Sequence, residues 1–196
     1  MNIFVTDPSP LKSAQCLPDK HVVKMPLESC QMLSIICSKK WGHGYGQLHR
    51  TNGKPYKTDK GAFRNHPCTI WAMEHRLNTW WLLRHAIALC NEYTHRYGKV
   101  HSCEKTVLEA AAIITPYYEK VDGKPATASM LQFIFEESGI TNPHLPKSFT
   151  RAMPDEFKHN TSYDTFTAYK NYIRSKPWAA SNYLRDPSRK PDWIEM

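Results

Sequence analysis

His21, Lys24, Glu28 and Gln31 follow one another at intervals of three, four and three residues. At about 100° per residue a helix gathers them on one narrow stripe, with a base, a cation and an acid on one face. A second stripe holds Glu74, Asn78, His85, Glu92 and Arg96, joined by Trp81, and crosses an otherwise apolar helix. If the two stripes face each other, His21, Glu28, His85 and Glu92 form a carboxylate-rich cleft of the kind in which proton transfers are carried out. The plainer reading is two solvated helix faces, in which the Lys24 and Glu28 pair contributes only ~0.3 kcal/mol. Against it, the first stripe carries His and Gln where a surface usually has more Lys and Glu, and Pro26 interrupts the helix beside Glu28 at a cost in helix stability.

Other chemistries find little support. The chain has 10 His and 6 Cys but no Cys-x-x-Cys, no His-Glu-x-x-His and no other paired ligand spacing, so no metal and no cofactor is expected. No glycine-rich phosphate loop with its Lys and Ser or Thr is present, and no Gly-x-Ser-x-Gly.

The elements that must hold these stripes read as mainly α. The expected architecture is a single-domain helical bundle over residues 1–196, built around one long central helix, with long basic loops and a short N-terminal extended segment. Met1 to Val5 is a short apolar run, a single strand or extended lead-in, stopped at Thr6-Asp7-Pro8. A helix starts at Pro18 and Asp19 and runs to about Ser38. The central helix starts at His66-Pro67 and continues for about thirty residues to Gly98, by its run of apolar and aromatic positions. A third helix, capped by Ser102, stops before Pro116. A fourth covers about Thr127 to Glu137, and a fifth about Asp164 to Ser175, after which a Pro-, Trp- and Arg-rich stretch wraps the domain. The chain shows no internal repeat and no dividing linker.

Charge points to the partner. Lys and Arg number 26 against 18 acids, a formal charge of +8, and the pI is near 9.2. The basic residues recur beside aromatic and His residues and do not form a tail, which favours nucleic acid over mere solubility. Residues 39–64 carry five glycines among Lys, Arg, His and Tyr without an apolar period, a long basic loop suited to phosphate. DNA is the expected partner; no membrane span and no protein partner are inferred. The six cysteines sit mostly in apolar helical stretches and read as buried thiols in a reducing compartment, so the expected location is the cytoplasm.

Asp19-Lys20-His21, followed seven residues later by Glu28 with a proline close to it, resembles the catalytic helix of the pyrimidine-dimer DNA glycosylase and lyase family, the phage endonuclease V type. The stretch Gly61 to Lys99, an aromatic helix reached through a basic loop and ending in Tyr97-Gly98-Lys99, is similar in kind to that family's long second helix. Phrases such as Asn65-His66-Pro67-Cys68 and Met153-Pro154-Asp155-Glu156 also resemble small uncharacterised phage-type proteins, a likeness that carries no mechanism.

The resemblance implies an all-helical glycosylase and lyase in which a free N-terminal amine attacks the sugar carbon of a damaged nucleotide. An α-amine titrates near ~8, well below a lysine, so a useful fraction is nucleophilic at neutral pH. Glu28 would stabilise the cationic sugar and then move protons, while His21 and Lys20 hold phosphate or the surroundings of a flipped base. In the family the amine belongs to a small residue exposed when the initiator methionine is removed. Asn2 disfavours that removal, so here the amine is expected on Met1.

The expected catalytic set is therefore Glu28, His21, Lys24, Met1, Glu92 and His85. The expected DNA contacts are Lys20, Lys57, Arg64, Asn65, His66, Arg96 and Lys99. Two rival readings stand beside this one: a phage-type transferase that modifies pyrimidines in DNA through the same cleft, and a non-catalytic DNA-binding protein.

Overall fold

The computed structural model describes residues 1–122 and 145–195. The expected helix over 127–137 lies outside them. The architecture is mainly α, and no strand occurs among the described residues. Met1 to Thr6 form no strand; the lead-in turns at Phe4, whose φ is 39°, and Ile3, Phe4 and Val5 are buried.

Helix α1 (Pro10–Gln15) was not legible in the sequence, because six residues are too few to display a period. Its start is conventional: the Ser9 side chain accepts from the Lys12 N–H and Pro10 takes the first helical position. Helix α2 (Asp19–Cys37) has no capping side chain of its own. Instead its first N–H groups are met from the far end of the chain. Asp19 N donates to the Asn182 carbonyl at 2.8 Å, and Lys20 N to Asn182 Oδ1 at 2.8 Å. Pro26 lacks the N–H that the Val22 carbonyl would accept, yet α2 runs unbroken through it.

The central helix differs from expectation. Its span is divided at His75, whose extended backbone (φ −148°, ψ 141°) separates α3 (Pro67–Glu74) from α4 (Arg76–Tyr97). Side chains explain how so sharp a break is tolerated. His75 Nδ1 accepts from Leu77 N at 3.1 Å and caps α4. Asn78 Nδ2 donates to the Trp71 carbonyl, and Thr79 Oγ1 to the Ala72 carbonyl, each at 2.7 Å. The acceptors left open at the end of α3 are thus satisfied by the first turn of α4. The central position is as expected, since α4 packs against α1, α2, α3 and α5. It ends at Gly98, whose φ of 65° only glycine adopts without strain.

Helix α5 (Glu104–Asp122) passes through Pro116 where a stop was expected. Among the described residues two further helices follow, α6 (Asp155–Lys158) and α7 (Thr165–Arg174); the second matches the expected fifth helix and is capped by Asp164. The last stretch carries two 3-10 turns, Pro187–Arg189 and Asp192–Ile194. It does wrap the helices, and Tyr183 Oη donates to the Cys16 carbonyl at 2.8 Å.

One buried ion cluster ties four of these pieces together. Arg96, at the end of α4, binds Glu92 Oε1 at 2.7 Å and Asp19 Oδ1 at 3.0 Å. It also donates to the carbonyls of Leu17 (2.8 Å) and Gln15 (2.7 Å). Arg189 reaches the same Glu92 oxygen at 3.0 Å. The other Asp19 oxygen accepts from Leu184 N and Arg185 N.

Candidate active site

The polar stripe of α2 begins the site. Lys24 and Glu28, one turn apart, form an ion pair at 3.3 Å, and Glu28 is 8% exposed while Lys24 reaches into solvent. The second partner of Glu28 comes from the chain start. The α-amine of Met1 lies 3.8 Å from Glu28 Oε2. A carboxylate held between two ammonium groups at the edge of the core is shielded from most water, so its interactions with them are stronger than on an open surface.

The amine is held in place by Asn2. Asn2 Oδ1 accepts from Ile3 N at 2.8 Å and Phe4 N at 2.9 Å, an Asx turn, while Nδ2 donates to the Ala152 carbonyl at 2.6 Å. The turn forces Phe4 to a φ of 39°, rare for a residue with a side chain. Strain of this type costs on the order of 1–3 kcal/mol and persists only where the surroundings impose it. Here they do: the Phe4 ring stacks on His21, centroids 4.1 Å apart, and on Tyr172 at 5.9 Å.

His66 completes the corner. It caps α3, with Nδ1 accepting from Cys68 N at 3.2 Å, so the neutral ring carries its proton on Nε2. Its pKa is lowered, first by burial and then by the charge of the N-terminal amine, with Glu28 opposing. His66 therefore sits in the field of both groups.

The other expected site residues are placed differently. His21 shares the stripe but turns away from Glu28, into a sandwich between Phe4 and the edge of Trp178. Burial, with Lys176 and Lys24 adding to it, pushes its ring down to about 3, so it is neutral, and its Nδ1 has no partner among the described residues. His85 is 1% exposed; it stacks on Trp81, Nδ1 meets the Pro10 carbonyl at 3.0 Å, and burial lowers it to about 4. Glu92 belongs to the Arg96 cluster at the Asp19 end of α2. The cleft of His21, Glu28, His85 and Glu92 thus does not form. The α4 stripe is an internal seam because α4 is surrounded by helices, so each polar side chain on it is committed to a packed partner.

Among the expected DNA contacts, Lys20, Lys57, Asn65 and Lys99 are exposed. Lys20 also lies over Trp178 at 4.6 Å. Arg64 is half-buried over Trp41, with Nη1 donating to the carbonyls of Lys60 and Gly61 at 3.1 Å. Arg96 is a correction: its buried guanidinium holds two carboxylates and two carbonyls and is closed to phosphate. Asn2, Phe4 and Trp178 were missed by sequence reasoning. Their roles depend on contacts across the chain that no local spacing announces.

Among the described residues no group of three or more His, Cys, Asp or Glu gathers at metal-binding distance, and no helix is long and apolar enough to cross a membrane. Neither a curated protein nor a solved structure matches the chain. A family model described as pyrimidine dimer DNA glycosylase matches residues 1–105, a span that holds Met1, Lys24, Glu28 and His66.

Proposed function

Since the chain belongs to the pyrimidine dimer DNA glycosylase family, we propose that it excises damaged pyrimidines from DNA and cleaves the strand at the abasic site so made. In this reading the Met1 amine is the nucleophile and Glu28 the catalytic carboxylate. The observation that carries the reading is their approach to 3.8 Å in a corner where Glu28 is nearly buried.

The steps follow from that arrangement. As the bond from C1′ to the pyrimidine breaks, its electron pair leaves with the base and positive charge grows on the sugar, where the Glu28 carboxylate stabilises it. The amine lone pair forms a bond to C1′ and the nitrogen gives up a proton, for which Glu28 is positioned as acceptor. The sugar ring then opens as its C1′–O4′ bond breaks, the pair going to oxygen, which takes the proton back from Glu28 and leaves a protonated imine and a free Glu28 carboxylate. Loss of a C2′ proton to a base, again Glu28, expels the 3′ phosphate by elimination. Water hydrolyses the imine and restores the amine.

Lys24 is exposed beside Glu28 and suits a phosphate flanking the reacting sugar. Lys20, Lys57, Asn65 and Lys99 would add contacts that set register without reading sequence. His66, with a proton on Nε2, is suited to donate a hydrogen bond to the departing base.

Borohydride tests the covalent step. Incubating the full-length protein with an abasic duplex and borohydride is expected to give a stable protein–DNA band on a denaturing gel, with peptide mapping placing the link on the Met1 nitrogen. A link on Lys24 would transfer the nucleophile one turn along α2. No adduct would remove the lyase reading and leave the pyrimidine-modifying transferase in its place.

A further inference from the structure

Residues 58–66 of the basic loop are built to hold one side chain outward. Trp41 Nε1 donates to the Thr58 carbonyl at 2.8 Å, and Gly61 N donates to the same carbonyl at 2.8 Å. Arg64 lies over Trp41 and returns two hydrogen bonds to the carbonyls of Lys60 and Gly61. Gly61 has a φ of 58°, and a Cβ there would stand 2.7 Å from Arg64 Cδ and 2.8 Å from the Trp41 ring. Only glycine fits this turn.

What the turn presents is Phe63, at a φ of 70° and 47% exposed. A large apolar ring in a left-handed backbone conformation and facing water gains little from folding, and it is the type of local misfit that marks functional positions. Its carbonyl accepts from His66 N at 3.1 Å, which ties it to the catalytic corner. Phe63 also lines a cavity of about 560 Å³ together with Lys57, Leu27 and Gln31, the last two flanking Glu28 on α2. Leu27 is itself 46% exposed. An apolar lip is thus set in a wall that also carries Arg50 and Lys57, against the helix that bears Glu28. Flat apolar faces strung on a phosphate backbone, the nucleobases of DNA, match both features.

We propose that Phe63 is a stacking wedge: its ring enters the duplex beside the target nucleotide and stacks on a nucleobase there, standing in for the target base once that base has left the helix. The proposal rests on the glycosylase reading above, and its test separates the two. The preset strain and the rigid Trp41–Arg64 support keep the ring extended before DNA arrives, so little ordering is left for the binding step.

The probe is a duplex carrying one tetrahydrofuran abasic analogue opposite 2-aminopurine; the analogue has no aldehyde and cannot form the imine. Wild-type protein is expected to raise 2-aminopurine emission on binding, as the ring entering at the lesion separates the base opposite it from its stacked neighbours. Phe63→Ala should lose most of that rise and bind roughly tenfold more weakly. Phe63→Trp should retain both. Phe63→Gly relieves the backbone, so it should fold at least as well as wild type by thermal melting and still lose the emission rise. Full emission with Phe63→Gly, or no rise with wild type, would overturn the wedge. Borohydride adduct formation by wild type decides the glycosylase reading independently.

Discussion

Glu28→Gln is expected to lower single-turnover excision by roughly 10³-fold while DNA affinity stays within about twofold of wild type. Gln has the size and the hydrogen-bonding capacity of Glu, so the packing of α2 against the chain start is kept. What disappears is a negative charge that lies 3.8 Å from the Met1 amine and 3.3 Å from Lys24. That charge is asked to stabilise a cationic sugar, take a proton from the amine and take another from C2′. All three demands arise after substrate is bound, which is why the effect should fall on the chemical step and not on binding. The measurement is excision under protein excess, beside anisotropy with the tetrahydrofuran duplex. Excision within a few-fold of wild type would end the assignment, leaving Glu28 as a structural partner of two ammonium groups.

The second large effect is on stability. Arg96→Met should destabilise the fold by about 3–5 kcal/mol, because it leaves two carboxylates buried without their principal cation. Asp19 is 5% exposed and Glu92 4%, so neither can recover solvation without opening the structure. The carbonyls of Leu17 and Gln15 are deprived of their donor as well. For a chain of this length the destabilisation corresponds to a fall in Tm of about 10 °C. Adding Glu92→Gln to Arg96→Met should recover part of it, since one of the stranded charges disappears. A Tm within about 2 °C of wild type for Arg96→Met would mean that water enters the cluster freely. Arg189 keeps its ion pair with Glu92 in the single variant.

These two residues also mark how far the sequence could be read. The spacing of Lys24 and Glu28 places them on one face of any helix, and that proximity survives whatever α2 packs against. The same logic applied to His85, Glu92 and Arg96 found a true stripe and the wrong surroundings. Periodicity states which residues share a face but not what the face meets, and α4 is enclosed by four other helices. Arg96 counts toward the net charge of +8 as fully as Lys99 does, although one is locked inside and the other is exposed to solvent. The division at His75 was hidden for a related reason. His75 has no helix-breaking chemistry of its own, and the break is stabilised by Asn78 and Thr79 reaching back to carbonyls of α3. The approach of Met1 to Glu28 depends on Asn2 gripping the Ala152 carbonyl, 150 residues away in sequence.

The beginning of α2 is closed by Asn182, and the Asp19 carboxylate by the backbone of Leu184 and Arg185. The helix that bears Glu28 is thus finished by residues at least 162 positions further along the chain. While the chain is still emerging from the ribosome, α2 has exposed N–H groups at its start and a buried-to-be acid without its backbone donors. Vectorial synthesis then orders events: the corner around Glu28 reaches its final rigidity only when residues 182–185 have emerged and folded back over the helices. The span of 1–105 that identifies the family lacks that closure, so a fragment trimmed to it would carry Met1 and Glu28 without the residues that hold the start of α2 in place.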